Sequence, residues 1–345
     1  MHTPLNIKPI NGCINYPYHP SVVFVHAGWN GHRYWMAQTP YSPTNMKPYK
    51  DRWELPCIHY SDDGIAWYPA MDYPVEDLTP EEINAKDYFS DPHLIMVGEE
   101  MQLYYRFSVL EHGDMKTNKT LLYRRTSHNG RDWSERELIA DLRQKEDIEI
   151  WGKQIISPAI VWNNNQYYCW YVDASSYVDT RNIRLTISND GIHWTKCFLC
   201  SLPTKSIIPW HLDVQYFDNH YQLLLFDINN QILAHYISND AVSFYDGKVL
   251  LRPSYKLYSF CSESLYRACC VNIGSKKYVY VSGHNGLRSS IGLWETENFN
   301  KLIPKRGMPV CMYIIEYELF SKYWQVLKAI IRHKAKTIGD KIRRT

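Results

Sequence analysis

Five times along the chain a short apolar strand, a polar turn and an aromatic strand recur as a unit, and this repetition limits the fold more than any other feature. The units begin at His19 (HPSVVFVHAGWNGHRYWMAQT), Asp91 (DPHLIMVGEEMQLYYRFS), Ser157 (SPAIVWNNNQYYCWYVDAS), His211 (HLDVQYFDNHYQLLLFD) and Tyr266 (YRACCVNIGSKKYVYVSG). Behind each lies a second element, Ser-x-x-Gly-x-x-Trp. It is complete at Ser61–Trp67, Ser127–Trp133 and Ser188–Trp194, weaker at Ser238–Phe244 and worn at Glu295–Asn300. Asp-Gly or Asn-Gly between apolar runs marks a hairpin, because both central residues must accept φ > 0.

A unit of this kind leaves an apolar face uncovered, so five units stack sheet against sheet around an axis. The repeat therefore predicts an all-β fold, a five-bladed β-propeller over residues 12–310. Composition agrees. Aromatic residues make up 14% of the chain, with 28 Tyr and 12 Trp, and such rings suit a pleated, half-buried surface. Helical periodicity is nearly absent in this region. The exception is Thr79–Phe89, where Thr79, Pro80 and Glu82 read as N-cap, N1 proline and N3 of a short helix.

The pattern changes near the end. Leu319, Tyr323, Trp324, Leu327, Ile330, Ile331, Ala335 and Ile338 recur at helical spacing, which predicts a C-terminal amphipathic α-helix over 317–345. Its other face carries Lys322, Lys328, Arg332, Lys334, Lys336, Lys341, Arg343 and Arg344 against Asp340. Such a helix either packs on the propeller or lies on an anionic membrane surface as a peripheral anchor. Over the whole chain 38 Lys and Arg face 36 Asp and Glu, a balance that argues against nucleic acid as a dedicated partner. No stretch approaches the ~20 apolar residues that cross a bilayer, and the first residues lack the pattern of a secretory signal. The nine cysteines lie mostly in apolar runs, such as Cys169, Cys269 and Cys270, and read as reduced thiols of a cytoplasmic protein. Cys197 and Cys200 form a lone CxxC without a second pair, so no metal is expected there.

In a propeller the innermost strands start at one end of the disc and converge on the mouth of the central channel, a concave site. Aligning the units puts His19, Asp91, Ser157, His211 and Tyr266 in that ring. His93, Asp213 and Arg267 follow one or two residues further in, with Trp210 and Glu263 just ahead of their strands. The third strands begin at the same end and add Glu54, Arg181 and Arg288 as an outer shell. The Ser-x-x-Gly-x-x-Trp hairpins belong to the opposite end. Arg106, at the far end of a second strand, reads as a structural ion pair. Carboxyl groups whose surroundings separate their pKa values suit glycosidic cleavage, one as proton donor and one as base or nucleophile. Asp91, Asp213, Glu263 and Glu54 are the candidates for that work. His19, His93, Ser157, Trp210, His211, Tyr266 and Arg267 are the candidates to hold a sugar. His19 and His211 read as hydrogen-bonding groups rather than metal ligands, since nothing has zinc-site spacing, and no cofactor is expected.

SDPHLI, followed by the aromatic strand QLYYRF and by repeated SxDGxxW hairpins, resembles the five-bladed propellers of glycoside hydrolase family 43 over about residues 15–300. The resemblance implies action on a glycosidic bond, with an oligosaccharide or other glycan as partner. That family draws a base, a pKa-tuning Asp and an acid Glu from its first three blades. Asp91 matches the second of these. His19 stands at the base position and Ser157 at the acid position, so Glu54, Asp213 or Glu263 would take those two roles. Two other readings stay open. One is a cytoplasmic, membrane-associated glycosyltransferase or accessory enzyme of surface-polysaccharide assembly. The other is a glycan-binding propeller without catalysis.

Overall fold

The computed structural model describes residues 2–11, 13, 15–41, 54–110, 118–174, 181–203, 206–256 and 258–319. Their strands fall into five sheets, one for each repeat unit and its hairpin. The first holds β1 (Asn6–Ile7), β2 (Pro17–Trp29), β3 (His32–Pro40), β4 (Cys57–Ser61) and β5 (Ala66–Pro69). Helix α1 (Pro80–Ala85) leads into β6 (Tyr88–Val97), β7 (Glu100–Val109), β8 (Lys119–Ser127) and β9 (Glu137–Asp141). Helix α2 (Lys145–Trp151) leads into β10 (Ile156–Asn163), β11 (Gln166–Asp173), β12 (Asn182–Ser188) and β13 (Phe198–Leu199). The fourth sheet is β14 (Pro209–Phe217), β15 (His220–Asp227), β16 (Ile232–Ser238) and β17 (Tyr245–Leu251). The fifth is β18 (Ser264–Ile273), β19 (Lys276–His284), β20 (Ser289–Thr296) and β21 (Ile303–Lys305).

The innermost strands β2, β6, β10, β14 and β18 each touch both neighbours, and β18 meets β2 to close the ring. The expected five-bladed propeller is the observed fold. An apolar cluster fills every blade interface. Trp35 and Leu103 pack between the first and second blades, Tyr104 and Trp194 between the second and third, and Trp170 and Leu223 between the third and fourth. Phe226 and Val279 join the fourth to the fifth, and Tyr34 and Tyr280 join the fifth to the first. Each sheet thus buries both faces, which is where the aromatic-rich composition is spent. The first residues close the ring from outside. β1 runs parallel to β5, while the Leu5 N–H donates to the Ile291 carbonyl (2.8 Å) and Thr3 Oγ1 to the Met308 carbonyl (2.7 Å). Residues ahead of position 12 therefore pack into the propeller as well.

The repeated hairpin is a hydrogen-bonded turn. In the three complete copies the Ser hydroxyl accepts from the Gly N–H, at 2.9 Å (Ser61–Gly64), 2.8 Å (Ser127–Gly130) and 2.9 Å (Ser188–Gly191). Asp63, Asn129 and Asp190 each accept from the two N–H groups that follow the Gly. The fourth copy keeps this arrangement around Asp240, with Ala241 at φ 69° in place of Gly. In the worn fifth copy Thr296 accepts from the Phe299 N–H, and Phe299 takes φ 59°.

Thr79 and Glu82 form the expected capping box, yet α1 ends at Ala85. Lys86 turns left-handed at φ 64°, and Tyr88 and Phe89 already pair in β6. A further helix, α3, occupies residues 310–319. Of the helix expected over 317–345, residues 320–345 lie outside the described ones. Among the described residues no helix is long and apolar enough to cross a membrane. All nine cysteines are free thiols.

Candidate functional site

Every inner strand carries a β-bulge near its start. Pairing slips by one residue between Tyr18 and Ser21, Ser90 and His93, Ile156 and Ala159, Pro209 and His211, and Leu265 and Ala268. An extra residue bends the strand and re-aims a side chain. In the first three blades the bulged residue precedes a proline and takes positive φ: 46° at His19, 51° at Asp91 and 54° at Ser157. A residue with a β-carbon is strained there by about 1–3 kcal/mol, and persists because the pairing on either side fixes it.

The bulges bring three blades to one point. Asp91 Oδ1 lies 3.3 Å from His211 Nδ1 and 4.0 Å from His19 Nε2. One ligating atom from each of the three lies within 4.8 Å of the others. All three atoms are buried and lack a hydrogen-bond partner among the described residues. The other Asp91 oxygen is engaged: Oδ2 meets Arg106 Nε at 3.1 Å and accepts the Ser157 N–H at 3.2 Å. Arg267 Nη1 stands 3.7 Å from Oδ1, and its Nη2 donates to the Pro158 carbonyl at 3.1 Å. His19 Nδ1 is tied to Thr39 Oγ1 at 2.6 Å, which turns Nε2 toward Asp91.

Charge follows from these partners. Burial pushes the Asp91 carboxyl up, but Arg106, His211 and His19 overcome it and hold the group well below the usual carboxylate range. For the imidazoles burial wins over the pull of Asp91, so His211 is pushed down to about 4 and His19 well below its ordinary value. Near neutral pH the cluster is one carboxylate and two neutral imidazoles. That is the protonation state in which such groups ligate a divalent cation, so this donor set fits one. The Thr39 bond is the kind of outer contact that fixes the orientation of a ligating ring. Glu54 differs. Burial outweighs help from Ser90 and Arg106, and its carboxyl is pushed up to about 8.

The cluster opens on a cavity of about 190 Å³ whose lining includes His19, Glu54, Arg106, Trp210, His211 and Tyr266. Glu54 Oε2 lies 3.9 Å from His19 Nδ1. Trp210 Nε1–H donates to Tyr266 Oη at 2.7 Å, and the Arg181 guanidinium lies over the Trp210 ring at 3.9 Å. Tyr41, Tyr88, Ser90, Asn118 and Gln154 complete the polar wall.

The structure thus gathers most of the expected ring. His19, Glu54, Trp210, His211 and Tyr266 line the cavity, and Asp91, Ser157 and Arg267 support them from behind. His93 and Asp213 lie a layer deeper and border no part of the cavity. His93 Nδ1 is 3.9 Å from Asp213 Oδ1, and Asp213 accepts the Cys270 N–H at 3.1 Å. Two residues further along an inner strand is simply the next layer of the axis. Glu263 is not brought in: its side chain is 60% exposed and stands beside His284, outside the strand start. Arg288 also turns away, donating to Glu316 on α3 at 2.8 Å. The expectation for Arg106 needs correcting. It does form an ion pair, but with Asp91 and at the cavity, because antiparallel pairing sets Arg106 opposite Ser90. The end of a second strand is therefore the site's end of the disc. Thr39, paired with Tyr18, reaches His19 in the same way. Cross-strand register is the signal that would have found both.

The chain is a five-bladed β-propeller, similar in fold to solved propellers of the glycoside hydrolase type. The α-L-arabinanase of Cellvibrio cellulosa, solved as a mutant, superimposes with a TM-score of 0.54 at 12% identity, over 82% of this chain and 92% of that one. An N-acetylgalactosamine deacetylase from F. plautii, solved with blood group B trisaccharide, superimposes with a TM-score of 0.68 at 18% identity, over 86% of this chain and 94% of that one. In sequence, the A type blood N-acetyl-α-D-galactosamine deacetylase of Flavonifractor plautii is 23% identical over 240 residues, 57% of this chain. The match spans only 29% of that protein's length. No protein-family profile matches the chain.

Proposed function

We propose that the protein is a hydrolase that removes the acetyl group from an N-acetylated sugar held at the channel mouth, rather than one that cleaves a glycosidic bond. One observation carries this. Glu54 is the one carboxyl lining the cavity among the described residues, and beside it stand His19, Asp91 and His211. Glycosidic cleavage in most enzymes uses two carboxyl groups across the scissile bond, about 5–9.5 Å apart. Amide hydrolysis requires a polarised carbonyl, an activated water and a proton for the departing nitrogen. The deacetylase from F. plautii, similar in fold over most of this chain, supports the same choice.

A divalent cation held by His19, Asp91 and His211 would supply Lewis-acid activation of the acyl oxygen and of water. The chain's own groups do the rest. Glu54, which lines the cavity 3.9 Å from His19, would in its ionised form take a proton from the attacking water and return it to the leaving nitrogen. The C–N bond breaks, acetate departs, and the amine keeps the proton. Arg106 holds Asp91 ionised, and Thr39 holds the His19 ring in place. Trp210 and Tyr266 present an aromatic wall to the sugar ring.

A panel of N-acetylhexosamine glycans should yield acetate without new reducing ends. Glu54→Gln should lower acetate release by about 10²-fold or more while glycan binding, followed by calorimetry, persists. Release of free sugar without acetate would return the site to glycosidic chemistry, and binding with no product would leave a lectin-like propeller.

A further inference from the structure

We infer that the opposite mouth of the channel is a second glycan-binding site, which takes one uncharged sugar residue. A cavity of about 250 Å³ opens there, lined by later residues of the five inner strands. In four blades the inner strand runs into a two-residue hairpin, closed by the pairs Val97–Glu100, Asn163–Gln166, Phe217–His220 and Ile273–Lys276. A closing pair exchanges both of its main-chain hydrogen bonds, so the residue before it turns its N–H and C=O to the other edge of the strand. Those residues are Met96, Trp162, Tyr216 and Asn272. Each inner strand ends its sheet, so that other edge faces the channel axis, and all four residues line the cavity.

One pleat nearer the first cavity, groups of the same kind are satisfied within the chain. The Leu94 N–H donates to Ser21 Oγ (2.9 Å), the Cys270 N–H donates to Asp213 Oδ2 (3.1 Å), and His93 Nε2 lies 2.9 Å from the Ile160 carbonyl. At the outer ring the neighbouring side chains include Val23, Ile95 and Val161, which have no polar atom to offer. Main-chain donors and acceptors thus converge in equal number on a cavity lined by no charged side chain. Sheltered peptide groups call for partners. An ion would meet both ends of the peptide dipole at once. An added peptide strand needs one edge open along its length, whereas these edges meet around an axis. A hydroxyl both donates and accepts, so a compact polyhydroxylated ring matches the set. The rim completes the match. Phe24, Trp162 and Tyr216, the last 40% exposed, offer aromatic surface to the C–H face of a sugar, and Gln215 and Asn272 add neutral amides.

Calorimetric titration of the full chain with the methyl glycosides of galactose, glucose and N-acetylglucosamine tests this. At least one of them should bind at two independent sites. Asn272→Trp, which fills the far cavity, and Tyr216→Ala, which strips its rim, should each weaken one site by about tenfold or more and leave the other unchanged. Trp210→Ala should weaken only the site that the far-mouth variants spare. An unchanged melting transition confirms that each variant is folded, and if Asn272→Trp does not fold, Tyr216→Ala alone decides. A single site that Trp210→Ala removes, two sites that the far-mouth variants leave intact, or no binding of any glycoside would overturn the inference, since water alone would then fill the far cavity. Acetate release should be unchanged in both far-mouth variants. Absence of acetate release from the wild type beside an intact far site would sink the deacetylase reading alone, so the two fail separately.

Discussion

Asp91, Glu54 and Asp213 are all buried carboxyl groups near one axis, yet they differ in charge because they differ in neighbours. Arg106 at 3.1 Å holds Asp91 ionised. Glu54 has a weaker share of the same guanidinium and is pushed up to about 8. Asp213, a layer deeper, is pushed up to about 7 by burial, against the opposing pull of Arg267 and the Cys270 N–H. A carboxyl with a raised folded pKa stabilises the fold in its protonated form. That contribution is complete below about pH 4, the unfolded value, and drains away as pH rises through about 7. The Asp213→Asn variant cannot titrate, so its stability should fall less over this interval. It should gain on the wild type by about 1–3 kcal/mol between about pH 4 and pH 8, read from urea unfolding at each pH. Parallel stability curves for the two proteins would contradict the assignment.

At the scale of the element, the turn between third and fourth strands sets how blades meet. Gly130 takes φ 73°, and a β-carbon there would come within 2.2 Å of Trp35 Cζ3 in the neighbouring blade. Gly98 takes φ 60° but faces open space. Gly130→Ala should therefore cost about 2–4 kcal/mol, strain plus overpacking, and Gly98→Ala only about 1 kcal/mol of strain. Chemical denaturation distinguishes them, and equal losses would show that the blade contact contributes nothing. These turns also explain why the fold was legible in sequence. Their chemistry is local and repeated, and the geometry outlasts the letters: Ala241 and Phe299 adopt the left-handed turn that Gly adopts elsewhere. The site was legible in half. Residues at strand starts align with the repeat, which exposed His19, Asp91, His211 and Tyr266. Arg106 and Thr39 arrive through cross-strand register, which a repeat does not display. Glu263 and Arg288 were misplaced because they sit on connections between strands, where each blade differs.

For the whole molecule, ring closure makes the site. His19, Asp91 and His211 come from the first, second and fourth blades; Ser157 and Arg267 from the third and fifth hold Asp91 in place. Far apart along the chain, these residues make no spacing motif, so the cluster is visible only once the sheets surround an axis. The segment Thr3–Ile7 ties the first blade to the last and belongs to the same device. The most direct test is anomalous X-ray scattering from crystals grown with manganese or zinc. A single strong peak bonded by His19, Asp91 and His211, next to Glu54, is the predicted result. No peak there, or a peak only at another group of side chains, would contradict it.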